Sequence, residues 1–104
     1  MTTYKPKRMS ARFYEGAPAI VKQKIAFICF NGCENGVPYD VLLTEDDGHG
    51  NAVGLDFGNR IQGQHFFLSP YDALRYRARN NRQRKAWSEL PEGVQSAIVS
   101  YLES

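Results

Sequence analysis

Long hydrophobic runs are missing from this 104-residue chain, and with them the means to cross a bilayer as a helix. The longest apolar stretch, Ile25–Phe30, is the size of a strand and falls short of the roughly 18 residues that a membrane span needs. Cysteine is scarce: Cys29 and Cys33 are the only two, which excludes a disulfide framework. Their C-x3-C spacing misses the C-x-x-C redox motif, and no further Cys or His lies close enough in sequence to complete a zinc site. Cys29 sits inside the apolar run and reads as a buried thiol, whereas Cys33 falls in a turn and reads as exposed.

The signatures of catalysis are absent as well. There is no G-x-S-x-G, no P-loop and no G-x-G-x-x-G; Gly48-His49-Gly50 reads as a turn. His49 and His65 have no Cys, His or carboxylate at a ligand or triad spacing. The acidic stretch Glu45-Asp46-Asp47-Gly48 fails the calcium-loop template, because Gly follows Asp47 at once and no Glu occupies the twelfth place. The chain is therefore expected to be non-enzymatic, with no metal and no cofactor. The N-terminus has basic residues with no apolar run behind them, so no secretory signal is read and a cytoplasmic location is the default expectation.

What is present is a core-forming composition and a patterned charge. A hydrophobic share of 42% against 23% charged residues suits a single folded domain and argues against disorder. The net charge is only +2, but it comes in blocks. Residues 1–24 carry +5, residues 25–59 carry −6 with no Lys or Arg, residues 60–85 carry +6, and the remainder carries −3. Such blocks either create faces that attract opposite charge or neutralise one another across the fold.

The periodicity predicts an α+β domain: an antiparallel four-stranded β-meander followed by two C-terminal α-helices. Residues 1–12, polar and basic, are expected to form a flexible arm, and residues 13–104 a single domain. From about Ile20 the pattern turns strand-like, and its second half, residues 25–30, is apolar on both faces, as suits an inner strand. Asn31-Gly32 and Asn35-Gly36 bracket a turn. A hairpin follows, with a three-residue loop in which Gly50 is left-handed and Asp47 opens a type I turn. Its expected register places Leu43 opposite Leu55 and Val41 opposite Phe57, so Asp40 and Asp56 share a face without being paired. After the Gly58-Asn59 turn, residues 61–68 read as the fourth strand. Ser69-Pro70-Tyr71-Asp72 then announces a helix, with Ser69 as its cap. Tyr71, Leu74 and Ala78 form the expected inward stripe. Val94, Ala97, Ile98, Tyr101 and Leu102 mark a closing helix, with Trp87 and Leu90 packed between the two.

The arginine set carries the strongest functional signal. Arg75, Arg77, Arg79, Arg82, Arg84 and Lys85 place six cations within eleven residues with no acid among them. Such a helix gives up stability to mutual repulsion, and the planar guanidinium fork matches phosphate. Asn80, Asn81 and Gln83 add neutral donors, and an outward Tyr76 would stack on a base. Lys5, Lys7, Arg8 and Arg12 extend the cationic set along the N-terminal arm. The leading expectation is a small binding protein that docks on nucleic acid or a nucleoprotein complex; the plain alternative is a solvated charged face. A further alternative is a compact inhibitor of the kind viruses and mobile elements use against host machinery. It would bind a host protein through the acidic set Asp40, Glu45, Asp46, Asp47 and Asp56 and through its charged faces. A third is a subunit that self-associates through apolar surface left on the sheet.

Overall fold

Four segments rich in β-branched and aromatic residues pair in the order in which the chain presents them. The structure, a computed structural model, describes residues 6–31, 39–58 and 61–104. Its framework is an antiparallel sheet of β1 (Ile25–Phe30), β2 (Tyr39–Asp46), β3 (Ala52–Phe57) and β4 (Gln62–Leu68). Two C-terminal helices, α2 (Pro70–Asn80) and α3 (Glu92–Glu103), complete the expected α+β architecture. The turn expected at residues 31–36, Cys33, Asn59 and Lys5 lie outside the described residues, apart from Asn31 itself.

The beginning of the expected first strand is a helix. Ala19–Lys24 forms a short α1 that follows Pro18. It turns Val21 into the core and leaves Lys22, Gln23 and Lys24 in water. A strand could not do this, because alternation would send Gln23 to the same side as Val21. Residues 9–12, expected in the flexible arm, belong to the folded domain or adjoin it. Met9 is buried in the core and its N–H donates to the Ala26 carbonyl at 3.0 Å. Phe13 and Tyr14, in a 3₁₀ turn spanning Ala11–Tyr14, are buried beside it.

The sheet is covered on both faces, and this sandwich positions the candidate site. Val41, Leu55 and Phe57 lie on one face, where Tyr101 of α3 meets Phe57 edge-on at 6.2 Å between ring centres. Phe27, Cys29, Asp40, Leu42 and Gly54 lie on the other, under α2. There Tyr76 packs on Phe27 and Phe66 at 6.5 and 5.8 Å, and Ala73 packs with Ala52 and Leu68. A Cβ at Gly54 would collide with the Phe66 ring, so the glycine lets that aromatic lie flat across β3.

The hairpin register follows the expectation only at its tip, where Asp46 faces Ala52. The Asp47 N–H donates to the Asn51 carbonyl at 3.0 Å and closes a loop over residues 48–50. Gly50 is left-handed as expected, but Gly48 also has positive φ, so the type I turn is not adopted. An irregularity between Leu42 and Asp46 then shifts the register by two residues. Val41 consequently faces Leu55, and Tyr39 faces Phe57. A shift of two keeps every side chain on its face, but it brings Asp40 directly opposite Asp56, against the expectation.

α2 begins as its sequence predicts. The Ser69 hydroxyl accepts from the Asp72 N–H at 3.1 Å, and Pro70 takes the first turn. Ser69→Ala should cost about 1 kcal/mol, read by urea unfolding. The helix ends at Asn80, sooner than the arginine run. Arg82 falls in a 3₁₀ turn, and Arg84 is extended and bridges Cys29 on the outer edge of β1. In α3, Val94 and Ile98 are buried as expected, with Trp87 and Leu90 in the core.

Candidate nucleic-acid interface

The inward stripe of α2 is not the expected one. Tyr71 and Leu74 are each 68% exposed, whereas Ala73 and Tyr76 are buried. Both stripes have helical spacing, and hydroxyl chemistry decides between them. The Tyr76 hydroxyl donates to Asp40 Oδ2 at 2.7 Å and lies 3.3 Å from the Cys29 Sγ. Ala73 is small enough to bring the helix down onto Ala52. Tyr76 is therefore a core residue and no base platform.

This choice of face sets the arginines. Arg75, Arg79 and Arg82 point to solvent with Tyr71, Leu74 and Ala78, and the Arg75 guanidinium lies 5.7 Å from the Tyr71 ring centre. Among the described residues these three arginines form no ion pair with an acidic side chain; Lys85 is held by Glu89 at 3.9 Å. Arg77 is half-buried. Its guanidinium lies 4.7 Å from the Phe27 ring centre, and it donates to the Lys7 carbonyl.

That last contact ties the N-terminal segment to the helix and closes one end of a groove between them. The groove has a volume of about 670 Å³. Its cations are Lys7 and Arg8 from the segment, Arg77 from α2, and Arg84 beyond it. Met9, Ala73, Leu74 and Ala78 supply apolar walls, Asn81 a neutral donor, and no acidic side chain lines it. The Arg84 guanidinium is stacked 4.6 Å from the Phe13 ring centre, and its Nε is out of solvent without a hydrogen-bond acceptor. Arg12 stacks on the same ring at 4.7 Å, and Arg8 lies 5.2 Å from the ring centre of Tyr14. Contact with aromatic rings holds a guanidinium in place and is compatible with its remaining donors binding an anion.

The acidic residues are placed very differently. Asp40, only 2% exposed, faces Asp56 across β2 and β3 beneath Tyr76. Burial, the neighbouring Asp56 carboxyl and its charge push the Asp40 carboxyl up to about 7, against the hydrogen bond from Tyr76. Among the described residues Asp40 Oδ1 has no hydrogen-bond partner, which a proton shared with Asp56 would satisfy. The same burial pushes the Cys29 thiol up to about 11 and the Tyr76 hydroxyl well above its ordinary value. The hydrogen bond from Tyr76 to the buried Asp40 pins α2 to the sheet, with Asp56 half-buried beside it. Because the folded pKa of Asp40 is raised, its contribution to stability is complete below about pH 4 and is lost as pH rises through about 7. Urea unfolding across this range should show that decline, and Asp40→Asn should remove it.

No protein-family model, curated protein or solved structure matches this chain. The geometry alone carries the functional argument.

At the hairpin tip, Asp46 accepts from the Gly48 N–H, and Asp47 accepts from the Asn51 side chain and from the N–H groups of His49 and Asn51. These bonds hold the Asp47 carboxyl below the usual carboxylate range, the Asn51 side chain contributing most. Asp46 and Asp47 therefore shape the loop, and Glu45 remains exposed. At about 3.3 Å per residue, the tip lies some 20 Å along the strand from Asp40. The expected acidic set is thus split into a buried Asp40 facing a half-buried Asp56, two loop-shaping aspartates and an exposed Glu45. Among the described residues, no group of three or more His, Cys, Asp or Glu is arranged to hold a metal, and no helix is long and apolar enough to cross a membrane.

Proposed function

We propose that this chain is a small non-enzymatic binding protein that docks on nucleic acid, alone or within a nucleoprotein complex. Its contact surface is the cationic groove and the outer face of α2. The observation that carries this reading is the groove itself: four cations from separate stretches of chain converge on it without an acidic residue in its lining. Cations gathered in this way favour the entry of an anion. Arg75, Arg79 and Arg82 continue the positive surface outward, at a spacing that lets a backbone run from groove to helix. The contacts are chiefly to phosphate, because cations outnumber the neutral donors that read base edges. Docking of the acidic hairpin on a host protein has less to stand on, since Asp40 is buried and Asp46 and Asp47 are engaged in their own loop. A pull-down from lysate with and without nuclease separates the two. Loss of captured partners on nuclease treatment supports nucleic-acid docking; a protein partner that survives it contradicts this reading.

A further inference from the structure

The two edges of the sheet are treated differently. The outer edge of β1 is occupied: Met9 N–H and the Tyr14 hydroxyl donate to the Ala26 carbonyl, the Lys85 N–H donates to the Ile28 carbonyl, and Arg84 bridges Cys29. The outer edge of β4 has no pairing partner among the described residues. Natural edge strands are usually guarded by Lys, Glu, Pro or a bulge. β4 reads Gln62-Gly63-Gln64-His65-Phe66-Phe67-Leu68, without a charged residue or proline. Its one irregularity is at Gly63, where φ is 85° and the Tyr101 ring covers the glycine. From Gln64 to Leu68 the pairing with β3 is regular, leaving five residues of undistorted edge. On this stretch Phe67 is 56% exposed, its ring stacked against His65 at 6.1 Å, while the Tyr101 hydroxyl holds His65 Nε2 at 2.6 Å.

We infer that β4 is a self-association edge, and that two copies of this chain pair antiparallel through it into one eight-stranded sheet. A second copy is the occupant that fits, for three reasons. Antiparallel pairing of identical strands lets each copy satisfy the other's free N–H and C=O groups. The seam is uncharged and each chain carries only +2, so little repulsion opposes the approach. With β1 already occupied, pairing through β4 closes after two copies and does not propagate into a fibre. A two-fold axis normal to the sheet puts both α2 helices on the same side, which doubles the cationic face available to one extended polyanion.

Sedimentation equilibrium at tens of micromolar protein tests this directly. The expected mass is twice the 11.8 kDa of the chain. Phe67→Lys, which sets like charges at the seam, should shift the species to monomer with an unchanged far-UV spectrum, since Phe67 is largely exposed within one copy. Leu74→Lys, on the exposed face of α2, should leave the dimer intact. A monomeric wild-type chain overturns the inference, as does a dimer that survives Phe67→Lys or is broken by Leu74→Lys.

Discussion

Reversing Arg75 and Arg79 together, as R75E/R79E, is expected to weaken binding to a labelled oligonucleotide about a hundredfold at 50 mM salt. Each reversal removes a cation that faces solvent without an ion pair among the described residues and adds a charge that repels the next phosphate. About tenfold per site follows if each site corresponds to roughly one phosphate contact. Because both side chains are exposed, the melting temperature should change little, so the loss reads on binding and not on folding. The milder pair R75K/R79K keeps the charge but removes the fork, and it should lose much less. Fluorescence anisotropy titrations of the three proteins measure both effects.

The second large effect is on stability. Tyr76→Ala should cost about 4 kcal/mol, within the range for truncating a buried aromatic. Tyr76 is the single α2 side chain that packs on both Phe27 and Phe66 and donates to Asp40. Its removal leaves a cavity and strips Asp40 of its donor together. For a chain of about this size each kcal/mol corresponds to roughly 4–8 °C, so the melting temperature should fall by about 15 °C or more. Tyr76→Phe keeps the ring and loses only the hydroxyl, with an expected cost of about 1–3 kcal/mol. Thermal melts of the two variants separate the packing contribution from the hydrogen bond.

The elements whose signals are local were legible in the sequence. The sheet order, the three-residue loop at Gly48–Gly50, the Ser69 cap with Pro70 and the buried stripe of α3 all follow from nearest-neighbour chemistry. What escaped depended on distant partners. Helical spacing admits the stripe of Tyr71, Leu74 and Ala78 as readily as that of Ala73 and Tyr76. The winning stripe is anchored by a hydroxyl that meets an aspartate 36 positions away in sequence. The Asp40–Asp56 pairing was hidden by the irregularity in β2, which no turn residue announces. The β-branched Ile20 and Val21 favour a strand locally, whereas the short α1 buries Val21 and packs Ile20 against the core. Of the candidate site, the arginines were legible as a set. The groove was not, because it needs Lys7 and Arg8 brought against Arg77 and Arg84 by a segment expected to be loose.

The central claim is that this groove and the adjoining helix face neutralise phosphates, and the salt dependence of binding tests it most directly. Wild-type affinity for a single-stranded oligonucleotide should fall linearly on a log–log plot of affinity against salt, with a slope of about −3 to −5 for some five or six phosphate contacts. For R75E/R79E the slope should be shallower by about 1–2. Affinity that does not change with salt, or no binding at 50 mM salt, would contradict the account.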